Sequence, residues 1–272
     1  MIRALALLAA AAALSACASL DPYPAERPII APQAFAGDLP PSGVAANWWE
    51  GFGDPVLDDL IEQGLATNLD IAIARDRLRA ADALLQAERA DRLPRLDGAA
   101  DAAVGLGTRD SDTASIGLLG TFDPDISGRL SAEIRAAAAD YAQAEYIVAD
   151  QRRLVAAAIA AQYIEYRRTG AQLDLLAQST ELQERTLRIV TLRFEAGLAA
   201  NLDVRRAAAD LAQTRARRGL IEIARAGAAN RLPILLGEPP GLFAPPPAPG
   251  NRTIPDYAGG PPAGTPADLL RR

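Results

Sequence analysis

Histidine is absent from this chain and so is lysine, which leaves all 28 basic residues as arginine. Without imidazole or a side-chain amine there is no His/Cys metal cage, no Ser-His or Cys-His dyad, no Schiff-base lysine and no Walker phosphate loop. Cysteine occurs once, at Cys17, so no intramolecular disulfide forms and stability must come from packing or assembly. Beyond the N-terminal segment no run reaches the roughly eighteen consecutive apolar residues of a spanning helix, so any membrane crossing there would use strands. Acidic residues outnumber basic ones by 34 to 28, a net charge of −6 that argues against nucleic acid as a partner.

What is present begins with an export signal. Arg3 precedes an apolar run from Ala4 to Leu14, and Leu14-Ser15-Ala16-Cys17 matches a lipoprotein box, in which small side chains fit the peptidase and the thiol takes diacylglycerol. Residues 1–16 are therefore expected to be removed and Cys17 to be the lipidation site. The plainer alternative is an ordinary signal with an incidental cysteine. Residues 17–54, with Pro22, Pro24, Pro28, Pro32, Pro40 and Pro41, read as a lipid-anchored extended tether.

Helical text starts at Pro55. Residues 55–93 hold a short helix with Leu57, Leu60, Ile61 and Leu65 on one face, then a second helix capped by Asn68. In that second helix Ile71, Leu78 and Leu85 recur every seven residues with Ala74 and Ala81 between, and it should end before Pro94. Over 94–128 the period changes to two. Leu96, Gly98, Ala100, Ala102, Val104 and Leu106 share one face with Asp97 and Asp101 on the other, as in a half-buried strand. A second run alternates Ile116, Leu118, Gly120 and Phe122 against Ser115, Gly117 and Thr121. Each has the length of a tilted transmembrane strand, but two strands cannot close a barrel, and a soluble hairpin capping a helical bundle fits the same pattern.

Residues 129–237 read as one long helical hairpin with its tip near Gly197. No proline interrupts Arg129 to Ala196, and apolar positions step by four and three through Leu130, Ile134, Ala137, Tyr141, Ala144 and Val148, resuming as Ile159, Tyr166, Leu173, Leu187 and Phe194. A helix of that length would reach about 100 Å, too long for a compact globule. A second seam, Leu175, Leu182 and Ile189, offers apolar surface to neighbours on another side, and Gly170 is the one weak point. In the returning helix Leu202, Leu211 and Leu220 are expected on the apolar face, with Ile221, Ala228 and Leu235 stepping by seven, and Pro233 should bend or end it. Residues 238–272 read as Pro/Gly-rich coil.

Other motifs carry little chemistry. Gly105-Leu106-Gly107 lacks the third glycine and the helix of a dinucleotide loop. The D-x-D pairs Asp110/Asp112 and Asp123/Asp125 suit turn formation better than a cation. Trp48 and Trp49 are expected to pack the preceding segment onto the helices rather than anchor it in a membrane interface. No catalytic residue, metal ligand or cofactor is assigned, and an enzyme working on carboxylates alone has no recognisable pocket here.

Four stretches carry a family likeness: Asn47-Trp48-Trp49-Glu50-Gly51-Phe52-Gly53-Asp54-Pro55, Phe122-Asp123-Pro124-Asp125-Ile126-Ser127-Gly128-Arg129, Arg193-Phe194-Glu195-Ala196-Gly197-Leu198 with Leu202-Asp203-Val204, and Asn230-Arg231-Leu232-Pro233-Ile234-Leu235-Leu236-Gly237. Their order resembles the TolC-like outer membrane efflux channels, in particular the NodT and OprM type of lipoprotein. The resemblance implies a mainly α fold: a long antiparallel coiled-coil helical hairpin forming part of an α-barrel, and a two-stranded transmembrane β-hairpin contributing to an oligomeric β-barrel.

It further implies trimers of two-repeat protomers, a periplasmic adaptor and inner membrane pump as partners, outer membrane lipid around the strands, and passive conduction of small molecules or ions. One repeat is present, and Leu269-Leu270-Arg271-Arg272 resembles the opening of the second. A truncated product is expected, or else a single-repeat protein of which six copies could supply the same strands. Arg193, Phe194, Gly197, Leu198, Asn201, Leu202 and Val204 are the residues the resemblance assigns to adaptor docking at the tip.

The chain departs from the family pattern in four places. Ala200 replaces the usual capping Ser or Thr, so that Asn201 would have to cap, Pro233 replaces a helix former, Pro124 interrupts a strand end, and Gly170 weakens the long helix. A periplasmic coiled-coil adaptor or structural lipoprotein is the alternative, disfavoured because adaptors flank a single hairpin with β domains.

Overall fold

The computed structural model describes residues 47–103, 113–241 and 254–257. The chain divides into two compact units, Trp49–Ala258 and a second made of Met1–Trp48 with Gly259–Arg272. Of the second unit only Asn47 and Trp48 are described. The signal, Cys17, the tether up to residue 46, Val104 to Asp112 and Leu269 to Arg272 lie outside the described residues.

A 3-10 helix, Trp48–Phe52, occupies the stretch expected to finish the extended tether, so regular structure begins earlier than the proline pattern implied. Trp49 is buried, in line with packing onto the helices. Next comes α1, Pro55–Thr67, with Pro at its first position and Asp54 as its cap: Asp54 Oδ1 accepts from the N–H of Val56 at 3.0 Å and of Leu57 at 3.4 Å. Leu57, Leu60 and Ile61 are buried as the spacing required, each such side chain contributing about 1.5–3 kcal/mol. Leu69–Ala90 forms α2, whose seam Ile71, Ala74 and Leu85 is buried with Leu78 and Ala81 half-buried.

Strands β1, Arg95–Ala103, and β2, Thr113–Thr121, pair antiparallel, with Leu96 opposite Gly120, Asp97 opposite Leu119 and Asp101 opposite Ser115. Every residue of both strands is exposed. The half-buried expectation is therefore corrected for the single chain, in which no described residue covers the apolar face. Phe122 lies one residue past β2, and Pro124 falls in the junction rather than interrupting a strand.

The long helix α3 runs from Arg129 to Glu195, 67 residues without a break. Its first seam holds: Leu130, Ala137 and Ala144 are buried, and Ile134, Tyr141 and Val148 half-buried. Farther along, Val155, Ala156, Ile159, Ala160, Tyr163 and Thr169 are buried. The second seam is uncovered, with Leu175, Leu182 and Ile189 at 64%, 65% and 58% exposure.

After the turn, α4 spans Asn201–Leu235. Leu211 is buried at 5% exposure but Leu202 and Leu220 stand out at 54% and 71%. That corrects the expected face, and the reason is geometric: at 3.6 residues per turn a nine-residue step rotates by half a turn, so Leu211 points opposite both neighbours. The seven-residue series holds, with Ala228 buried and Ile221 and Leu235 half-buried. Pro233 does not end the helix at once. It sits in the last turn, fully buried, and its carbonyl accepts the N–H groups of Leu236 and Glu238 as the helix closes at Gly237.

Helix α3 packs against α1 and α2 and against α4. The start of α2 and the end of α4 are joined by side chains. Asn68 Oδ1 accepts from Asp70 and Ile71 N–H at 2.9 and 3.1 Å, while its Nδ2 donates to the Leu235 carbonyl at 2.8 Å. Thr67 donates to the Leu236 carbonyl at 2.6 Å, and Gln63 to Glu238 at 2.8 Å. Gly237, at φ +73°, lets the chain pass so close to Thr67 that a Cβ there would lie 2.7 Å from the Thr67 carbonyl oxygen. Helices α4 and α2, 35 and 22 residues long, thus meet end to end beside α3.

Candidate functional site

Two regions carry the sequence-derived sites: the turn between α3 and α4, and the strand hairpin with its junction to α3. At the turn, Gly197 has φ +72° and open space around its Cα, so the backbone angle alone selects glycine. Gly197 N–H bonds the Phe194 carbonyl at 2.9 Å and Leu198 N–H bonds the Arg193 carbonyl at 2.8 Å, a Schellman closure of α3. The helix that follows starts without a side-chain acceptor at Ala200. Asn201 is the first helical residue and does not cap it, contrary to expectation; instead the Asp203 carboxylate reaches back to the Ala200 N–H at 3.3 Å.

All seven assigned residues fall on this turn or the helix ends beside it. Phe194, Leu198 and Leu202 are exposed at 41%, 71% and 54%, and Arg193, Gly197 and Asn201 are exposed too. Val204 is half-buried and so less available. Leu192, 65% exposed, belongs with this apolar group, though the glycine-centred motif did not include it.

At the other end of α3 the junction is built on aspartates. Asp125 takes the left-handed angle φ +51°, and its oxygens accept from the N–H of Leu130 and of Ser131, each at 2.9 Å, and from the Ser131 hydroxyl at 2.5 Å. The Ser131 hydroxyl first, then the two amides and Arg92, holds the Asp125 carboxyl below its ordinary range. Asp123 accepts the Asp125 N–H at 2.9 Å and pairs with Arg129 at 3.0 Å. These contacts agree with turn formation; among the described residues no cluster of metal-ligating side chains occurs. Beside the junction lies an open cavity of about 560 Å³ lined in part by Leu93, Arg95, Phe122 and Arg129.

A buried network went unnoticed in the sequence. Tyr163, fully buried, donates to Asp54 Oδ2 at 2.8 Å and accepts from Arg167 Nε and Nη2 at 3.0 and 2.7 Å. Burial pushes its hydroxyl up to about 12. The available signal was Asp54-Pro55 as a helix start, which gave the cap but not the long-range partner. Likewise Tyr257, in a tail read as coil, meets the Phe52 ring edge-on at 5.0 Å.

Residues 60–238 match the model of the family described as outer membrane efflux protein. The chain belongs to this family. The outer membrane efflux proteins most similar to it include the pyoverdine export outer membrane protein OpmQ of Pseudomonas aeruginosa, 28% identical over 86% of this chain and 53% of OpmQ. The toluene efflux pump outer membrane protein TtgI of Pseudomonas putida is 30% identical over 81% of this chain and 48% of its own length. Nodulation protein T of Rhizobium leguminosarum is 28% identical over 95% and 57%. Among solved structures, the outer-membrane channel OprN superposes with a TM-score of 0.73 at 27% identity, covering 89% of this chain and 59% of OprN.

The chain therefore spans about half the length of these relatives. As a family of outer membrane channel proteins, they carry the architecture the resemblance implied: a helical barrel and a strand barrel. No described helix is long and apolar enough to cross a membrane.

Proposed function

We propose that this chain supplies one strand pair and one helical hairpin to an outer membrane efflux channel, a passive conduit for small molecules or ions. The observation that carries this is the hairpin: nine-residue strands, exposed throughout, with every leucine and isoleucine but Leu119 on one face. Such a face stays in water at a cost unless lipid covers it, and the backbone edges are satisfied only by closure with further strands.

The exposed seam Leu175, Leu182 and Ile189 supports assembly through neighbouring helices, as in a trimer of double repeats or a hexamer of single ones. Cys17 would carry the lipid that tethers the protein to the membrane. Catalysis plays no part in this reading: transport is driven by an inner membrane pump acting through a periplasmic adaptor.

Adaptor contact is assigned to the tip, where Phe194, Leu198 and Leu202 leave apolar side chains around a turn with no bulk at Gly197. Site-specific crosslinking in cells tests this. Gly197→Val combined with Leu198→Asp is expected to abolish crosslinks to the adaptor while outer membrane insertion stays intact. Crosslinking at the wild-type level in an inserted variant would reject the tip as the docking site.

A further inference from the structure

We infer that the hairpin face carrying Asp97 and Asp101 is the inner wall of the pore, and that it favours cations over anions. The inference rests on the channel reading above and adds the solute class. The register sorts the charged and hydroxyl side chains without exception, and Leu119, Ala99 and Ala103 share their face. One face holds Leu96, Gly98, Ala100 and Ala102 of β1 with Ala114, Ile116, Leu118 and Gly120 of β2, and carries neither charge nor hydroxyl. The other holds Arg95, Asp97 and Asp101 with Thr113, Ser115 and Thr121, so every charged and hydroxyl group of the two strands lies there.

Ionised groups in the hydrocarbon are strongly disfavoured, and a closed barrel offers only lipid outside and water within, so the Asp97 face turns inward. A one-residue slip would exchange the faces, but the register is fixed at both ends by Arg95 opposite Thr121 and Ala103 opposite Thr113. The wall is also tied across the strands, since the Ser115 hydroxyl donates to Asp101 Oδ2 at 2.7 Å.

Among the described residues of the two strands Arg95 is the one positive group on this wall, and it stands at the end nearest the helices. At about 3.4 Å per residue, Asp97 lies about 7 Å and Asp101 about 20 Å farther along the strand, so beyond the mouth the described wall is acidic. Repeated around a barrel, each aspartate becomes a ring of carboxylates, and such rings concentrate cations and repel anions.

Single cysteines in isolated outer membranes test both parts, with the wild-type chain, whose one cysteine is Cys17, as the background control. Ser115→Cys is expected to react with charged, membrane-impermeant thiosulfonates. Ile116→Cys is expected to escape them, and a fluorophore placed there should be quenched by brominated acyl chains. Relative to a free thiol, Ser115→Cys should prefer the cationic reagent over the anionic one by about tenfold. Asp97→Asn with Asp101→Asn should remove that preference.

The reverse labelling pattern would overturn the orientation. Equal rates for the two reagents at an accessible Ser115→Cys would overturn the cation preference while leaving the wall in place. Equal labelling at both positions, without lipid quenching, would show that the hairpin is not in the membrane, and the channel reading itself would fall.

Discussion

Replacing Tyr163 by phenylalanine removes one oxygen and nothing else, yet that oxygen is where the cap of α1 is bonded to α3. It donates to Asp54 at 2.8 Å and receives two bonds from Arg167, in a place where Tyr163 is fully buried and Asp54 is 6% exposed. Hydrogen bonds to charged groups contribute about 1.5–3 kcal/mol each, and the Asp54 oxygen would lose its donor while still shielded from water. The ring keeps its shape and keeps Arg167 stacked 4.9 Å from its centre, so packing contributes little to the difference.

The expected loss is about 2–4 kcal/mol. Urea unfolding of the detergent-solubilised protein, followed by helical circular dichroism, reads this as a lower midpoint at an unchanged slope. Asp54→Asn retains the cap on α1 but not the charge, and combining it with Tyr163→Phe should cost less than the two added together, by about 0.5–3 kcal/mol. The hydroxyl is raised to about 12 from 10, so its stabilisation is full below pH 10 and is lost as pH rises through 12; the phenylalanine variant should lack that alkaline loss. A midpoint within about 0.5 kcal/mol of wild type, or strictly additive effects, would refute the coupling.

Two helical glycines should respond in opposite ways. A Cβ at Gly64 lies 2.2 Å from Ile159 Cδ1, so Gly64→Ala should destabilise by about 1–3 kcal/mol less any helix gain, whereas at Gly170 the nearest atom is Arg225 Cζ at 3.8 Å and Gly170→Ala should stabilise by about 0.4–1 kcal/mol. Asn68→Ala removes the α2 cap and leaves the Leu235 carbonyl without its donor, and should cost about 2–4 kcal/mol by the same unfolding assay. Because the Asp125 carboxyl titrates below its ordinary 3.8, its stabilisation of the α3 start is present above that pH and is lost as pH falls through the lowered value. Amide exchange at Leu130 and Ser131 should accelerate there, and Asp125→Asn should abolish that acid dependence.

Periodicity disclosed the helices because each buries a stripe against a neighbour in its own chain: Ile71, Ala74 and Leu85 in α2, Leu130, Ala137 and Ala144 in α3. It misjudged Leu202 and Leu220, where counting leucines replaced counting degrees of rotation. It could not tell a membrane hairpin from a soluble one, since the alternation of Leu96 and Asp97 is the same whether lipid or protein covers the apolar side. That choice depended on the exposure of Ile116 and Leu118, at 88% and 74%, and on the family match. The tip was legible because Gly197 meets a local backbone demand. The bonds joining Tyr163 to Asp54 and Asn68 to Leu235 span 109 and 167 residues and leave no local trace.

The side-chain amide of Asn68 stands where a continuous helix would have a peptide group: its oxygen takes the first amides of α2 and its nitrogen serves a last carbonyl of α4. The hydrogen-bond ladder thereby crosses a gap in the covalent chain with a borrowed rung. Tension applied along the hairpin is borne on one side by the unbroken backbone of α3 and on the other by that rung, the Thr67 bond and the packing around them. Under such load the splice between α4 and α2, held without a direct covalent link, is expected to part before the continuous backbone of α3 does.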